Sequence, residues 1–307
     1  MIDHNNTIEN QQLHCGYIPI VGKSNVGKST LLNNLIGQKI SIVCRKAHTT
    51  RQCIVGIHTK GNYQTIYIDT PGWNNIKQKT LLNRFMNRNI INYIKNHVAL
   101  VIFVTSGTNW TSNDNQILNM LCKNESPVLL VINKIDLIKN KTVLLPYIHL
   151  ISQKMNFIDI LPISASTGYN INNLLKIITK FLPKSNHLFP KKMITNQSIT
   201  FMLSEIIREK LMHFLNHEIP YSVAVTIDQV TFNNKSGIYD IYGYILVERK
   251  GQKKIIIGYK NNKINNILKE ASYEIELMMN TPVSINLGIK IKNQWFNDQI
   301  ILKTLGY

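Results

Sequence analysis

The stretch GKSNVGKS, residues 22–29, fits the pattern G-x-x-x-x-G-K-[ST]. Its glycines, Gly22 and Gly27, let backbone N–H groups converge on phosphate oxygens where a Cβ would block the approach. Lys23, Ser24, Asn25 and Val26 form the turn, Lys28 brings a positive charge to the β- and γ-phosphates, and Ser29 offers a hydroxyl to Mg²⁺. The context agrees: Tyr17–Val21 before the loop is strand-like, and Lys28–Ile36 after it reads as a helix that Gly37 ends.

Working outward, DTPG at 69–72 follows the strand-like run Tyr63–Ile68. At a strand end, Asp69 can hold the magnesium shell. Thr70 and Pro71 lead to Gly72, whose N–H can reach a γ-phosphate, although Thr-Pro-Gly is also a good ordinary turn. NKID at 133–136 follows the apolar run Val128–Ile132. Asp136 can accept two N–H bonds from a guanine edge that adenine lacks, and an unpaired buried polar group costs about 1–3 kcal/mol. Asn133 and Lys134 would brace the base and the loop, with Ile135 between them and Asp136. Ser164 and Ala165, after the run Ile158–Ile163, suit a backbone contact to the guanine oxygen. His48-Thr49-Thr50-Arg51 lies where a switch threonine belongs; Thr50 is the choice for Mg²⁺, with Thr49 as the alternative. Lys28, Thr50 and Gly72 are thus the candidate catalytic residues, and Ser29, Thr50 and Asp69 the candidate magnesium ligands. Trp73 follows DTPG where many such proteins carry a water-positioning glutamine. Intrinsic hydrolysis is therefore expected to be slow, or to need another group or a cation.

The chain has 307 residues, enough for two domains. Residues 1–182 alternate strand and helix patterns, with helices expected at 81–95, 113–121, 143–154 and 171–181, and a hairpin at Lys60-Gly61-Asn62. That alternation implies a doubly wound α/β fold with a mostly parallel sheet. Two prolines, a short polar stretch and three lysines in 183–192 read as a linker. Residues 193–307 read as an α+β domain: helices at 198–215 and 263–279, strands at 221–232, 238–248 and 283–291. Lys254–Ile257 is either a strand or the lead into the loop and helix that follow.

Net charge is +18, split +12 over 1–180 and +6 over 181–307. A polyanionic partner would explain it, as would compositional drift in a chain rich in Asn, Ile and Lys, and charge alone does not choose. The four cysteines form no CxxC pair, and the polar N-terminus has no apolar signal core, so a reduced, cytoplasmic chain is expected.

The segments at 31–51, 54–72, 201–212, 219–223 and 245–258, with the three motifs, resemble the Era family of bacterial GTPases over almost the whole length. The resemblance implies a P-loop GTPase domain followed by a type II KH domain. It also implies binding of GTP and GDP with Mg²⁺, binding of small-subunit ribosomal RNA near its 3′ end, and a role in assembly of the small ribosomal subunit. A monomer is expected, and some members associate peripherally with the inner membrane. In related GTPases an asparagine at the place of Asn25 coordinates potassium; the alternative is that Asn25 only shapes its loop. The RNA-clamping GXXG loop of a KH domain corresponds here to Gly258-Tyr259-Lys260-Asn261, so its second glycine is Asn261, a residue that tolerates left-handed backbone. Gly258, Tyr259, Lys260 and Lys263 are the candidate RNA contacts. An RNA-binding assembly factor with little hydrolysis is the competing reading.

Overall fold

The computed structural model of the chain describes residues 12–46, 49–73, 80–95, 98–216 and 219–307. The first domain is built on a six-stranded sheet: β1 (His14–Val21), β2 (Ile54–Lys60), β3 (Tyr63–Asp69), β4 (Val101–Ser106), β5 (Val128–Asn133) and β6 (Asp159–Pro162). Their spatial order is β2-β3-β1-β4-β5-β6. Only the β2–β3 pair is antiparallel, because its connection is a tight turn at Gly61 and Asn62 with Lys60 opposite Tyr63. Helices α1 (Lys28–Ile36), α2 (Leu81–Lys95), α3 (Ser112–Leu121), α4 (Leu144–Ser152) and α5 (Ile171–Phe181) cover both faces.

Side chains along β4 and β5 alternate between those faces. Ile102, Val104, Leu129 and Val131 pack with Leu31, Leu32 and Leu35 of α1 and with Leu174 and Ile178 of α5. Val101, Phe103, Val128 and Leu130 pack with Ile90 and Ile94 of α2 and with Ile117 and Leu121 of α3. A sheet buried on both faces needs near-continuous apolar strands, which is why these runs carry no polar alternation. The layering also points the ends of β1, β3 and β5, with their motifs, to one edge.

The second domain has the order α6 (Ile199–Phe214), β7 (Ala224–Asn233), β8 (Ile238–Val247), α7 (Lys250–Ile257), α8 (Asn262–Met279), β9 (Val283–Ile291) and α9 (Gln299–Thr304). Its sheet runs β7-β8-β9, with β8 and β9 parallel. One sheet face packs on Leu203, Ile207 and Leu211 of α6 and on Ile267, Ala271 and Ile275 of α8. Lys254–Ile257 belongs to helix α7, neither a strand nor a lead-in. Of its three isoleucines Ile256 alone is fully buried, a one-sided burial that suits a helix. Helix α9 and the buried Trp295 before it correspond to no element expected from the sequence. With Leu302 they join Ala224 and Leu246 of the opposite sheet face to Leu82 and Met86 of α2, so one apolar cluster spans both domains. No helix among the described residues is long and apolar enough to cross a membrane.

The expected linker is not free. Gln64, buried in β3, accepts from the N–H groups of Leu188 (2.8 Å) and Phe189 (3.0 Å) and donates to the Phe189 carbonyl (2.8 Å). Residues 194–197, expected to open the second domain, hydrogen-bond to the first: Ile57 N–H donates to Ile194, and Thr195 Oγ1 donates to Val55. Gln64→Ala strands several linker backbone groups at once, at about 1–3 kcal/mol for each that stays buried. Its melting temperature is expected to fall and limited proteolysis to cut within 183–192, with GTP affinity unchanged. A variant as resistant as the parent would show that the linker is held by other means.

Candidate functional site: a nucleotide cleft at the strand ends

The phosphate loop crosses from β1 to α1, which Gly27 enters in left-handed backbone and Gly37 caps in the same way. Lys28 is buried, and its Nζ donates to the carbonyls of Lys23 (2.9 Å) and Gly22 (3.1 Å). Burial lowers its pKa to about 8, with Asp69 pulling the other way. Asp69 is fully buried at the end of β3, and desolvation pushes its carboxyl above the usual range against the pull of Lys28 and three hydroxyls. Those hydroxyls converge on Oδ2: Ser29 at 2.6 Å, Ser41 at 3.0 Å and Thr50 at 3.5 Å. Ser29 and Thr50 are themselves 2.9 Å apart.

The other carboxylate oxygen, Asp69 Oδ1, is buried and has no hydrogen-bond partner among the described residues. An orphaned carboxylate oxygen beside two hydroxyls fits a small hard cation held through oxygen. The three residues expected to hold magnesium are therefore adjacent. Thr49 is not among them: its hydroxyl donates to the Lys46 carbonyl. His48 lies outside the described residues. Ser41 has no motif around it, and only the folded chain brings it to Asp69.

DTPG closes over the loop. Thr70 donates through both N–H and hydroxyl to Ile20, and beyond Pro71 the N–H of Trp73 donates to Gly22. A Cβ at Gly72 would lie 2.7 Å from Ser24 Cα, so only glycine fits this approach. Trp73 turns into the apolar layer between sheet and α3, its indole N–H donating to Gln116 (3.1 Å). Lys23 also points away: its ammonium sits on Asp114 (2.9 Å), in the first turn of α3, so only its backbone serves the loop. Asn25, at φ +63°, donates from Nδ2 to the Arg45 carbonyl (2.9 Å).

At the base-reading end, Asn133 Nδ2 donates to Val26 (2.8 Å), while Oδ1 accepts from the N–H groups of Lys134 (2.8 Å) and Ala165 (2.9 Å). Of the Ser164-Ala165 pair expected to offer a backbone contact to a guanine oxygen, the Ala165 N–H donates here to Asn133. Lys134 Nζ reaches back to the Asn25 carbonyl (2.5 Å), and Ile135 is buried with Ile132 and Leu144. Ser164 Oγ donates to Asp136 Oδ1 (2.6 Å), which fixes the carboxylate at the mouth of the cleft.

In the second domain, Gly258, Lys260 and Asn261 all have positive φ, and Asn261 adopts the left-handed conformation (φ 62°, ψ 9°) expected of it. A Cβ on Gly258 would meet Lys263 Cβ at 2.6 Å. Tyr259 is 79% exposed, with Lys260 Nζ 5.5 Å from its ring centroid.

Comparison with known proteins agrees with both halves. The family model described as a 50S ribosome-binding GTPase matches residues 17–134, and that of the KH domain matches residues 218–296. The chain is 52% identical to GTPase Era of Yersinia enterocolitica over 97% of its own length and 98% of the relative's. It is 50% identical to GTPase Era of Yersinia pestis over the same shares. Among solved structures, an Era variant of Aquifex aeolicus bound to GDP.AlF4⁻ is 37% identical and superposes with a TM-score of 0.92, covering 96% of this chain and 99% of that one. An Era complex with MgGDPNP and nucleotides 1506–1542 of 16S ribosomal RNA, also 37% identical with the same coverage, gives 0.93. With its phosphate loop, hydroxyl-ringed Asp69, Asn133-pinned base loop and appended KH fold, the chain belongs to the Era family of GTPases.

Proposed function

We propose that this GTPase couples the guanine-nucleotide state of its first domain to the binding of small-subunit ribosomal RNA near its 3′ end, and acts in maturation of the small ribosomal subunit. The observation that carries the reading is the Gly258–Asn261 turn: its backbone is held open by left-handed residues and it presents an exposed tyrosine and lysine at the start of α8. Such a turn suits close approach of a nucleic-acid backbone, with an aromatic face beside it for stacking. The relative solved with 16S RNA supports the same partner. The 50S description belongs to a family model that matches only the first domain, whereas the RNA contacts proposed here lie in the second. The protein is read as a cytoplasmic monomer whose net charge of +18 suits peripheral contact with the anionic inner-membrane surface.

In the nucleotide cleft, residues 22–29 would cradle the phosphates. Lys28 would exchange two carbonyl partners for β- and γ-phosphate oxygens, and the Gly72 N–H would meet the γ-phosphate. Ser29, Thr50 and Asp69 would hold Mg²⁺, which supplies charge neutralisation across the β- and γ-oxygens. Thr70 and Pro71 would set the reach of Gly72, and residues 133–136 with 164–165 would form the guanine pocket around Asp136. Asp136→Asn is expected to weaken GTP binding about tenfold or more, the order that follows when a built polar pair is lost, and to admit xanthosine triphosphate. Nucleotide titrations with an unchanged preference for GTP would refute the role of Asp136.

For RNA, Lys260→Glu with Lys263→Glu is expected to weaken binding and reduce the slope of log affinity against log salt by about one for each phosphate no longer neutralised. GTP affinity should stay as in the parent. A double variant with parental RNA affinity would move the interface off this turn.

Trp73, buried on Gln116, offers no hydrogen bond to an attacking water, so charge stabilisation must come from another group. With Nδ2 of Asn25 committed to Arg45, its Oδ1 is the atom that could face a monovalent cation beside the phosphates. Potassium is expected to accelerate turnover over sodium at equal ionic strength, and Asn25→Ala to erase the difference while still binding nucleotide. Equal rates in the two salts would rule the cation out and point to a ribosomal group completing the site.

A further inference from the structure

Thr50 comes from the least regular part of the cleft. Between the end of α1 and the start of β2, the described residues form no helix or strand, so no regular element fixes where its hydroxyl sits. The residues on both sides of Thr50 are tied to the second domain instead, one through its carbonyl and the other through its side chain. On one side, Arg208 Nη2, from α6, donates to the Thr49 carbonyl (2.5 Å). On the other, the Arg51 guanidinium donates to the carbonyls of Val223 (2.8 Å), Tyr221 (2.9 Å) and Pro220 (3.2 Å). Both arginines are buried, where a charge-assisted bond is stronger and more directional than at the surface.

Arg208 is aligned in turn by Glu205, one turn earlier on α6, which accepts from its Nε (2.6 Å) and Nη2 (2.5 Å). The same helix grips the segment further back. Glu209 accepts from the Val43 N–H (2.9 Å) and from Lys39 (2.5 Å), and Lys46 Nζ donates to the carbonyls of Met212 and Leu215. Helix α6 and the residue after it thus serve as a ledge to which Lys39, Val43, Lys46 and Thr49 are fastened. Thr50, the next residue, reaches both Ser29 and Asp69, and Ser41 within the segment reaches Asp69 as well.

We propose that Arg208 is a positioning residue for the GTPase reaction: through the Thr49 carbonyl, the RNA-binding domain of the same chain holds the Thr50 hydroxyl at the Ser29–Asp69 cluster. The inference rests on the assignment of Thr50 to the magnesium site. Any displacement of α6 therefore pulls directly on the residue before Thr50.

The test uses the full-length protein and three variants: Arg208→Met, which keeps length and apolar packing, Arg208→Lys, and Thr50→Ala. A fluorescent, non-hydrolysable GTP analogue is titrated over a series of Mg²⁺ concentrations, alongside GDP affinity, single-turnover hydrolysis and melting temperature. Arg208→Met is expected to raise the Mg²⁺ needed for half-maximal analogue binding about tenfold, the lower range for losing a hydrogen bond to a charged group. Its hydrolysis rate should fall in parallel and its GDP affinity stay parental, with Arg208→Lys recovering part of both losses. A purely structural role would lower the melting temperature without moving the Mg²⁺ dependence. Parental Mg²⁺ dependence in Arg208→Met, with Thr50→Ala shifted, overturns the inference and leaves the magnesium assignment standing. Parental dependence in Thr50→Ala overturns the assignment and the inference with it. If Arg208→Met melts below the assay temperature, Glu205→Gln, which keeps the guanidinium but loosens its alignment, carries the same readout, and an unshifted Mg²⁺ curve there counts against the proposal.

Discussion

The carboxamide of Asn133 is the joint on which the cleft depends. It is almost fully buried, yet it satisfies three backbone groups from three different loops: Val26 in the phosphate loop, Lys134 in the base loop and Ala165 after β6. No other residue type offers a donor and an acceptor at that reach in so planar a group. A carboxylate would lose the donor to Val26, and an apolar side chain would strand all three partners away from water. The phosphate end and the base end of the nucleotide site are therefore one rigid unit, even though their residues lie more than a hundred positions apart in the sequence. Lys134, reaching from the base loop to the Asn25 carbonyl, reinforces the same joint from the solvent side.

Much of this was legible in the sequence because the signals were local. Lys28–Ile36, Ile171–Phe181 and Val283–Ile291 occur with the bounds their patterns gave, since cap residues, apolar periodicity and flanking turns agree there. The strand, glycine loop and helix order was enough to put Lys28 and Ser29 at the start of α1, and the apolar runs before DTPG and NKID put Asp69 and Asp136 at or just beyond strand ends. What escaped was set by distant partners. Lys254–Ile257 has an apolar run too short to show a period, and it is helical because Ile256 finds a place among α6, α8 and the sheet. Helix α9 is six residues long and gains its place by packing Leu302 with Trp295 against α2. Arg51 and Arg208 look like ordinary surface charges on paper; only the juxtaposition of two domains buries them.

The segment before Thr50 and helix α2 also differ in how they meet the second domain. The segment before Thr50 is held by charges and carbonyls along α6, a directional polar contact. Helix α2, which follows DTPG, is held by an apolar cluster around Trp295, and its N–H at Leu81 is accepted by Asn297. Polar contacts break within short displacements, whereas apolar surfaces tolerate sliding before they part. The joint between the domains is therefore stiff on the Thr50 side and compliant on the α2 side, so relative motion of the domains would be felt first at Thr50.

The docking of residues 194–197 along β2 has a consequence of a different kind. Strand β2 is the last strand of its sheet, and an outermost strand with unpaired backbone groups is a template onto which a second copy can add. Here the chain's own connecting segment occupies that position: Ile194 accepts from Ile57, Thr195 bonds to Val55, and Gly56 and Thr195 form an antiparallel bridge. The connection that joins the two domains thus doubles as a guard strip, sealing the sheet's open border against self-association in a crowded cell.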